Sequence, residues 1–334
     1  MSFLRDKKIL FIAPVFHNLQ NKIYEEMVSL GAKVDYYDER PKNNFITKVL
    51  IRLKLKKIIS KQIKNYYQNI LNLTKNETYD YIFIINLEAM PFSILKEFCI
   101  QQDKAKILLY MWDSLELKSI SAEILKIVDR AYTFDPRDAK NHNMILLDLF
   151  YSKEYEELVK VDKVYDMCFI GTIHGDRYKL LKEIELQANG MNLNVYYYFF
   201  MPSKIMFWVR KLFDKNFHHA KFSEVEFKTL DAKHVSEYMN KSRAIIDLSY
   251  KNQRGLSMRT FETLGSKKKL ITTNEEVKKY DFYNPENITI INKENIEIDK
   301  LFFTKKYQNI DEDIYKKYSL STWLKVIFDE QDMA

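Results

Sequence analysis

Asn252-Gln-Arg-Gly-Leu-Ser-Met-Arg-Thr-Phe-Glu-Thr-Leu-Gly-Ser-Lys-Lys-Lys-Leu-Ile-Thr-Thr-Asn274 is the stretch on which the architecture turns. An apolar run, Ala244-Ile-Ile-Asp-Leu248, comes just before it, and a second, Leu270-Ile-Thr-Thr273, closes it. Both are short and bounded, as strands buried on both faces of a parallel sheet are. Between them Met258, Phe261, Thr263 and Leu264 fall in a single helix of about three turns. Gly255 stands in the preceding loop, where a residue without Cβ lets backbone approach a ligand. Ser257 is the expected N-cap and Gly265 the expected helix C-terminus. Strand, glycine-bearing loop and helix N-terminus together make an anion site, because free N–H groups and the helix dipole both favour negative charge. Arg254 and Arg259 lie at that mouth to add charge-assisted forks. Glu262, one turn into the helix, is an acceptor suited to a ribose diol. The set reads as a nucleotide-diphosphate cradle; the bland alternative is a βαβ turn with surface charges.

Gly255-Leu-Ser-Met-Arg-Thr-Phe-Glu-Thr-Leu-Gly265 resembles the donor-binding motif of bacterial GT-B glycosyltransferases, most closely the CgeB-like enzymes of capsule and lipopolysaccharide assembly. The resemblance implies that Glu262 holds the ribose of a sugar nucleotide. It also implies that the loop Arg254-Gly255-Leu256-Ser257 meets the diphosphate. Many members carry a second glutamate eight residues before the first; here that place is Arg254, so the acidic pair of retaining members is incomplete.

The rest of the chain fits two α/β halves. A length of 334 residues suggests two domains of ordinary size, and 46% hydrophobic with 14% aromatic content excludes disorder. Lys8–Val15 is a continuous apolar run, followed by a helical segment 19–30 and a second strand from Ala32 to Tyr37, a βαβ opening. Tyr79–Ile85 and Lys106–Trp112 are further strands, with a helix over Pro91–Gln101 between them. Asp166-Met-Cys-Phe-Ile-Gly-Thr172 opens a second unit after a charged hinge, Ser152–Lys163. The expected fold is therefore two Rossmann-like domains of GT-B type facing each other across a cleft. Residues 1–155 form the acceptor domain, 164–315 the sugar-nucleotide donor domain, and 316–334 a terminal helix that crosses back to the first.

Sites in such sheets lie at the carboxyl ends of strands. His17 follows the first strand, and by position matches a histidine that serves as general base in several GT-B families. Asp113 follows the fourth, and Trp112-Asp-Ser with Tyr132-Thr-Phe-Asp-Pro-Arg-Asp138 also resembles the CgeB-like enzymes. Asp113 is a candidate to deprotonate or bind an acceptor hydroxyl; the plain alternative is a helix N-cap. In the second unit the resemblance places Gly171 and Thr172 against the diphosphate or donor sugar. Arg177 would neutralise phosphate or pair with Asp176, and His174 would be a donor-site ligand or an ordinary loop histidine.

From Arg40 to Asn76 there are ten basic residues and no acidic one. Lys54, Lys57, Lys61 and Lys64 share one helical face, and Leu55, Ile59, Ile63, Tyr66 and Ile70 another. This segment, 48–64, and the basic-aromatic segment 202–215 are candidates for an anionic membrane surface. The alternatives are a solvated helix for the first and core packing for the second. No aromatic-basic reader motif accompanies the charge, so nucleic acid is not an expected partner.

Cys99 and Cys168 are far apart in apolar contexts and read as reduced core residues. There is no signal-peptide pattern, and no apolar run approaches the ~20 residues that span a bilayer. The expected setting is the cytoplasm, free or peripheral on the inner face of the membrane. Metal-ligand spacings, an Asp-X-Asp metal motif and a Walker loop are not evident. Arginine and helix dipole would then meet the charge of a UDP- or GDP-type donor without metal. Two functions follow: a glycosyltransferase acting on a glycan or lipid-linked acceptor, or a non-catalytic nucleotide-sugar-binding subunit of a polysaccharide assembly.

Overall fold

The computed structural model describes residues 2–52, 55–115, 123–156, 161–250 and 254–329. Lys54, Asn252 and Gln253, and residues 157–160 of the expected hinge, lie outside them. The chain divides into two compact units, Met1–Leu149 with Leu320–Ala334, and Phe150–Ser319.

The first unit runs β1 (Lys8–Ala13), α1 (Leu19–Ser29), β2 (Lys33–Asp38), α2 (Phe45–Arg52), α3 (Ser60–Thr74), β3 (Tyr81–Ile85) and α4 (Phe92–Gln101). It continues with β4 (Lys106–Met111), β5 (Arg130–Thr133), α5 (Pro136–His142) and β6 (Ile145–Leu146). The strands pair in parallel in the order β2-β1-β3-β4-β5-β6. Alternation along them supplies two apolar faces. Leu10, Ile12, Ile82, Ile84, Ile107 and Leu109 face a core shared with Ile63, Tyr67 and Ile70 of α3 and Leu95 and Phe98 of α4. Helix α3 therefore buries its apolar face and leaves Lys61 and Lys64 exposed, the solvated arrangement.

Phe11, Phe83 and Tyr110, the intervening residues, are equally buried. Their cover is the terminal helix α13 (Leu320–Phe328), which belongs to this first unit as the sequence reading expects. Trp323 lies edge-on to Tyr110 at 4.7 Å, and Phe328 meets Tyr81 and Phe83 at 5.0 and 5.4 Å between centroids. The Tyr132 hydroxyl lies 3.2 and 3.3 Å from the Val326 and Ile327 carbonyls, sharing its one proton between acceptors left over at the helix C-terminus.

The second unit runs α6 (Lys153–Glu156), β7 (Tyr165–Thr172), α7 (Arg177–Gly190), β8 (Val195–Phe200), α8 (Lys204–Phe213), β9 (Val225–Glu226) and α9 (Ala232–Asn240). It closes with β10 (Ser242–Asp247), α10 (Met258–Gly265), β11 (Lys269–Thr272), β12 (Ile288–Ile290), α11 (Lys300–Thr304) and α12 (Glu312–Lys317). Its parallel sheet has the order β12-β11-β10-β7-β8-β9. Each sheet starts from an inner strand and is built outward in both directions, so each has a switch point: between β1 and β3 in the first, between β7 and β10 in the second. Ligands of open α/β sheets bind outside the carboxyl ends of the strands at such points.

Gly265 ends α10 for a reason other than the one its residue type suggests. The left-handed residue after this helix is Lys267, at φ 48°. Gly265 is required by a neighbour instead: a Cβ there would lie 2.6 Å from Cγ of Tyr151.

Candidate active site

In the second unit the site is built around the β7 and β10 ends. Strand β7 ends in Gly171-Thr172, and the chain turns through His174 and Gly175, left-handed at φ 57°, into α7. Arg177, in the first turn of α7, donates through Nη1 to the Thr172 carbonyl at 3.2 Å and through Nη2 to the Leu248 carbonyl. One guanidinium therefore straddles the switch point, tying the end of β7 to the residue just past β10. Its Nε is buried with no partner among the described residues. Burial pulls this guanidinium below its ordinary pKa, with Asp247 and Asp176 opposing. Of the two readings for Arg177, the one that pairs it with Asp176 is not the arrangement found: Asp176 lies 3.9 Å from Lys293. Lys293 also donates to the Ser249 carbonyl at 3.1 Å, which puts a second cation at this edge.

The N-terminus of α10 is held by a residue that the sequence reading does not single out. Asp247, buried at the end of β10, accepts the Ser257 hydroxyl at 2.6 Å and the Thr260 hydroxyl at 2.7 Å. Ser257 has the N-cap position, but its side chain makes no cap bond. The first N–H groups of α10 thus receive no cap bond from Ser257, and the Asp247 carboxylate meets this helix end through hydroxyls rather than through those N–H groups. Leu256 is buried, which leaves backbone as its means of meeting a ligand. The loop is anchored from β11 by Asn274, whose amide donates to the Arg254 and Gly255 carbonyls at 3.4 and 3.3 Å.

The arginines divide. Arg259 turns inward rather than to the loop mouth: it donates to the Ile170 carbonyl at 3.3 Å and pairs with Glu262 Oε2 at 2.7 Å. Glu262 is further held by Tyr155 of α6, a buried phenol whose pKa burial and the Glu262 charge push far up. Arg254 faces outward and pairs with Glu276 at 3.3 Å. Thus Gly171, Thr172, Arg177, Arg259 and Glu262 gather at the β7–β10 edge, and Arg254 does not join them. His174 lies against Tyr250 at 4.9 Å, the rings tilted by 59°; burial, with Arg177 and Arg210, pulls its pKa down to about 4, so the ring is neutral near pH 7.

In the first unit Asp113 and His17 both stand past carboxyl strand ends, and rings join their loops. Phe16 lies 5.9 Å from Trp112 and 4.5 Å from His17 between centroids. Asp113 is partly buried, and its Oδ2 accepts the Asn86 amide at 2.6 Å. His17 is exposed, in left-handed backbone at φ 46°.

A buried ionisable group past the β2 and β3 ends of the same sheet has no counterpart in the sequence reading. Glu39, directly after β2, has no solvent exposure; its Oε1 accepts the N–H groups of Ala89 and Met90, while Oε2 has no partner among the described residues. Arg40 pairs with Glu88 at 3.2 Å, both side chains less than a tenth exposed. Burial first, and the Glu88 charge second, raise the Glu39 carboxyl to about 8, against the two N–H bonds and Arg40. Glu39 and Glu88 are 49 residues apart in sequence, and no local motif marks such a pair. What was readable is their position, each just beyond a strand.

No family model matches the chain, and no curated protein matches it in sequence. Solved structures match over nearly its whole length. Sucrose-phosphate synthase from Thermosynechococcus elongatus aligns over 98% of this chain and 96% of its own, at 10% identity and a TM-score of 0.59. The Anabaena protein HepE, solved in complex with UDP-glucose, aligns over 98% and 100% at 10% identity and 0.56. A glycosyltransferase from Rickettsia africae aligns over 97% and 99% at 12% identity and 0.55. At such identities the likeness is one of fold: two Rossmann-like α/β units, the GT-B architecture.

Proposed function

We propose that this protein is a glycosyltransferase of hexosyl type. It takes a sugar from a UDP- or GDP-type nucleotide-diphosphate sugar to a hydroxyl of a glycan or lipid-linked acceptor in bacterial surface polysaccharide synthesis. The observation that carries the reading is Arg177 across the β7–β10 switch point, with Nε unpartnered among the described residues, beside the N-terminus of α10, to which Ser257 gives no side-chain cap bond. A fixed cation and a helix N-terminus converging on one strand edge suit a diphosphate. Lys293 adds charge, and Glu262 is the acceptor for the ribose. The CgeB-like resemblance of Gly255–Gly265 supports the same assignment from sequence, and HepE, of like fold, was solved with UDP-glucose.

In the transfer step an acceptor hydroxyl oxygen bonds to the anomeric carbon as the bond from that carbon to the diphosphate oxygen breaks. The electron pair leaves with the nucleoside diphosphate, whose growing charge Arg177, Lys293 and α10 stabilise without metal. The hydroxyl proton passes to Asp113, held in place by Asn86. The test is incubation of the purified chain with a panel of UDP- and GDP-sugars. Donor-dependent stabilisation and release of nucleoside diphosphate are expected. Binding without turnover across acceptors would leave a nucleotide-sugar-binding subunit, and no binding would remove the proposal.

A further inference from the structure

Helix α8 presents its apolar stripe away from the unit to which it belongs. Ile205, Trp208, Val209 and Leu212, at the i, i+3, i+4, i+7 spacing of one helix face, are 77%, 53%, 49% and 70% exposed. Phe213 beside them is 81% exposed. Trp208 stacks on the exposed ring of Phe222 at 6.0 Å, extending the patch past the helix. The opposite face is firmly attached. Phe207 is buried edge-on against Phe217 at 5.4 Å, and the Ser203 hydroxyl caps the Met206 N–H at 3.1 Å. Arg210 donates to the Ile173 carbonyl and, at 2.9 Å, to the Gly175 carbonyl. This is a well-formed helix anchored to the β7–α7 loop, with large apolar side chains left in water. Helix α3, the other basic amphipathic segment, does the reverse and gives its apolar face to the core.

The charge around the stripe says what covers it. Residues 202–222 hold five Lys or Arg and one acid, Asp214, which is paired with Arg210 at 2.5 Å. Lys204, Lys215 and Lys221 are exposed around the patch. A second copy docked face to face would set two lysine rims against each other, with the nearest acids, Asp214 and Glu224, already paired to Arg210 and Lys182. We infer that the occupant is an anionic lipid bilayer. Apolar side chains enter the headgroup–acyl boundary, Trp208 lies at the interface, and the lysines meet lipid phosphates. No membrane-spanning helix is needed, and among the described residues none is long and apolar enough to be one. This inference stands apart from the transfer reaction, because vesicle binding is read without donor or acceptor.

The experiment is co-sedimentation of the full chain with vesicles of phosphatidylcholine alone or mixed equally with phosphatidylglycerol, with Trp208 emission followed in parallel. Binding to the mixed vesicles, a blue shift that is lost in Trp208→Phe, and release as salt rises are expected. The Ile205→Ser/Leu212→Ser variant should bind about tenfold or more weaker. Lys204→Gln/Lys215→Gln/Lys221→Gln should bind about a hundredfold weaker. All these positions are exposed, so thermal melts should match the wild type. Equal binding to pure phosphatidylcholine, no binding to either vesicle, or unaltered binding of the variants would overturn the inference. So would a dimer that Ile205→Ser/Leu212→Ser dissociates while vesicles retain nothing. Retention on an acidic polypeptide without retention on vesicles would overturn it too, in favour of a protein partner.

Discussion

Asn86 holds Asp113. Its side-chain amide donates to Asp113 Oδ2 at 2.6 Å, while its Oδ1 accepts the Trp112 N–H at 3.1 Å. One side chain at the end of β3 thus orients both the carboxylate and the backbone that carries it at the end of β4. Asn86 occupies left-handed backbone at φ 53°, a conformation that asparagine tolerates better than most residues. The carboxylate is thereby oriented, and we take Asp113 ahead of the exposed His17 as the base to be tested. Asp113→Asn should lower the transfer rate by about 10²–10⁴ with donor affinity unchanged. A near-wild-type rate in Asp113→Asn, together with a large loss in His17→Ala, would give the role to His17.

Glu262 is the predicted ribose acceptor, and its carboxylate also pairs with Arg259 at 2.7 Å. Truncation to alanine would leave Arg259 short of its partner, so fold and binding would change together. Glu262→Gln keeps a hydrogen-bonding group and removes the charge. Weaker donor binding by about tenfold, near 1.4 kcal/mol, is expected in calorimetric titration with a UDP-sugar. Unchanged affinity would take Glu262 out of the site.

Glu39 makes stability depend on pH in a direction opposite to that of a paired surface carboxylate. Its folded-state pKa is about 8 against an ordinary 4.5, so the folded state holds the proton more tightly than the unfolded chain. Its stabilising contribution is complete below about pH 4.5 and is lost as pH rises through about 8. Glu39→Gln is neutral at every pH. Denaturant unfolding from pH 5 to 9 should show the wild type losing stability relative to the variant, by up to roughly 1.4 kcal/mol per pH unit. Parallel curves for the two proteins would contradict the assignment.

Gly265→Ala is expected to destabilise the second unit by about 1–3 kcal/mol, because the new methyl would meet the Tyr151 ring 2.6 Å away. The Tyr315 hydroxyl donates to the Gly265 carbonyl at 2.7 Å, so the helix end has little room to withdraw. If the alanine variant melts at the wild-type temperature, the glycine is there for another reason.

The sequence by itself determined the alternation of the longer strands and helices and the two-unit plan, while the short strands β5 and β9 carry no such mark. Uninterrupted runs such as Lys8–Ala13 and Tyr81–Ile85 can bury both faces only inside a parallel sheet covered by helices. It also carried the positions of Asp113, Gly171, Thr172 and α10, since a strand end followed by a turn is a local pattern. Tertiary structure decided what the polar side chains do there. Ser257 has the N-cap position, but its hydroxyl goes to Asp247; Arg259 reaches Ile170 and Glu262; Arg177 ignores its neighbour Asp176 for the carbonyls of Thr172 and Leu248. Glu39 and Glu88 read as ordinary loop acids until β2 and β3, one on each side of β1, enclose them. The stripe of α8 is the same case in apolar form, because its spacing shows that a face exists and not whether protein covers it. Secondary structure follows from interactions within a few residues. The protonation of a buried acid, or the partner of an arginine, depends on groups tens of residues away and on how much water their packing excludes.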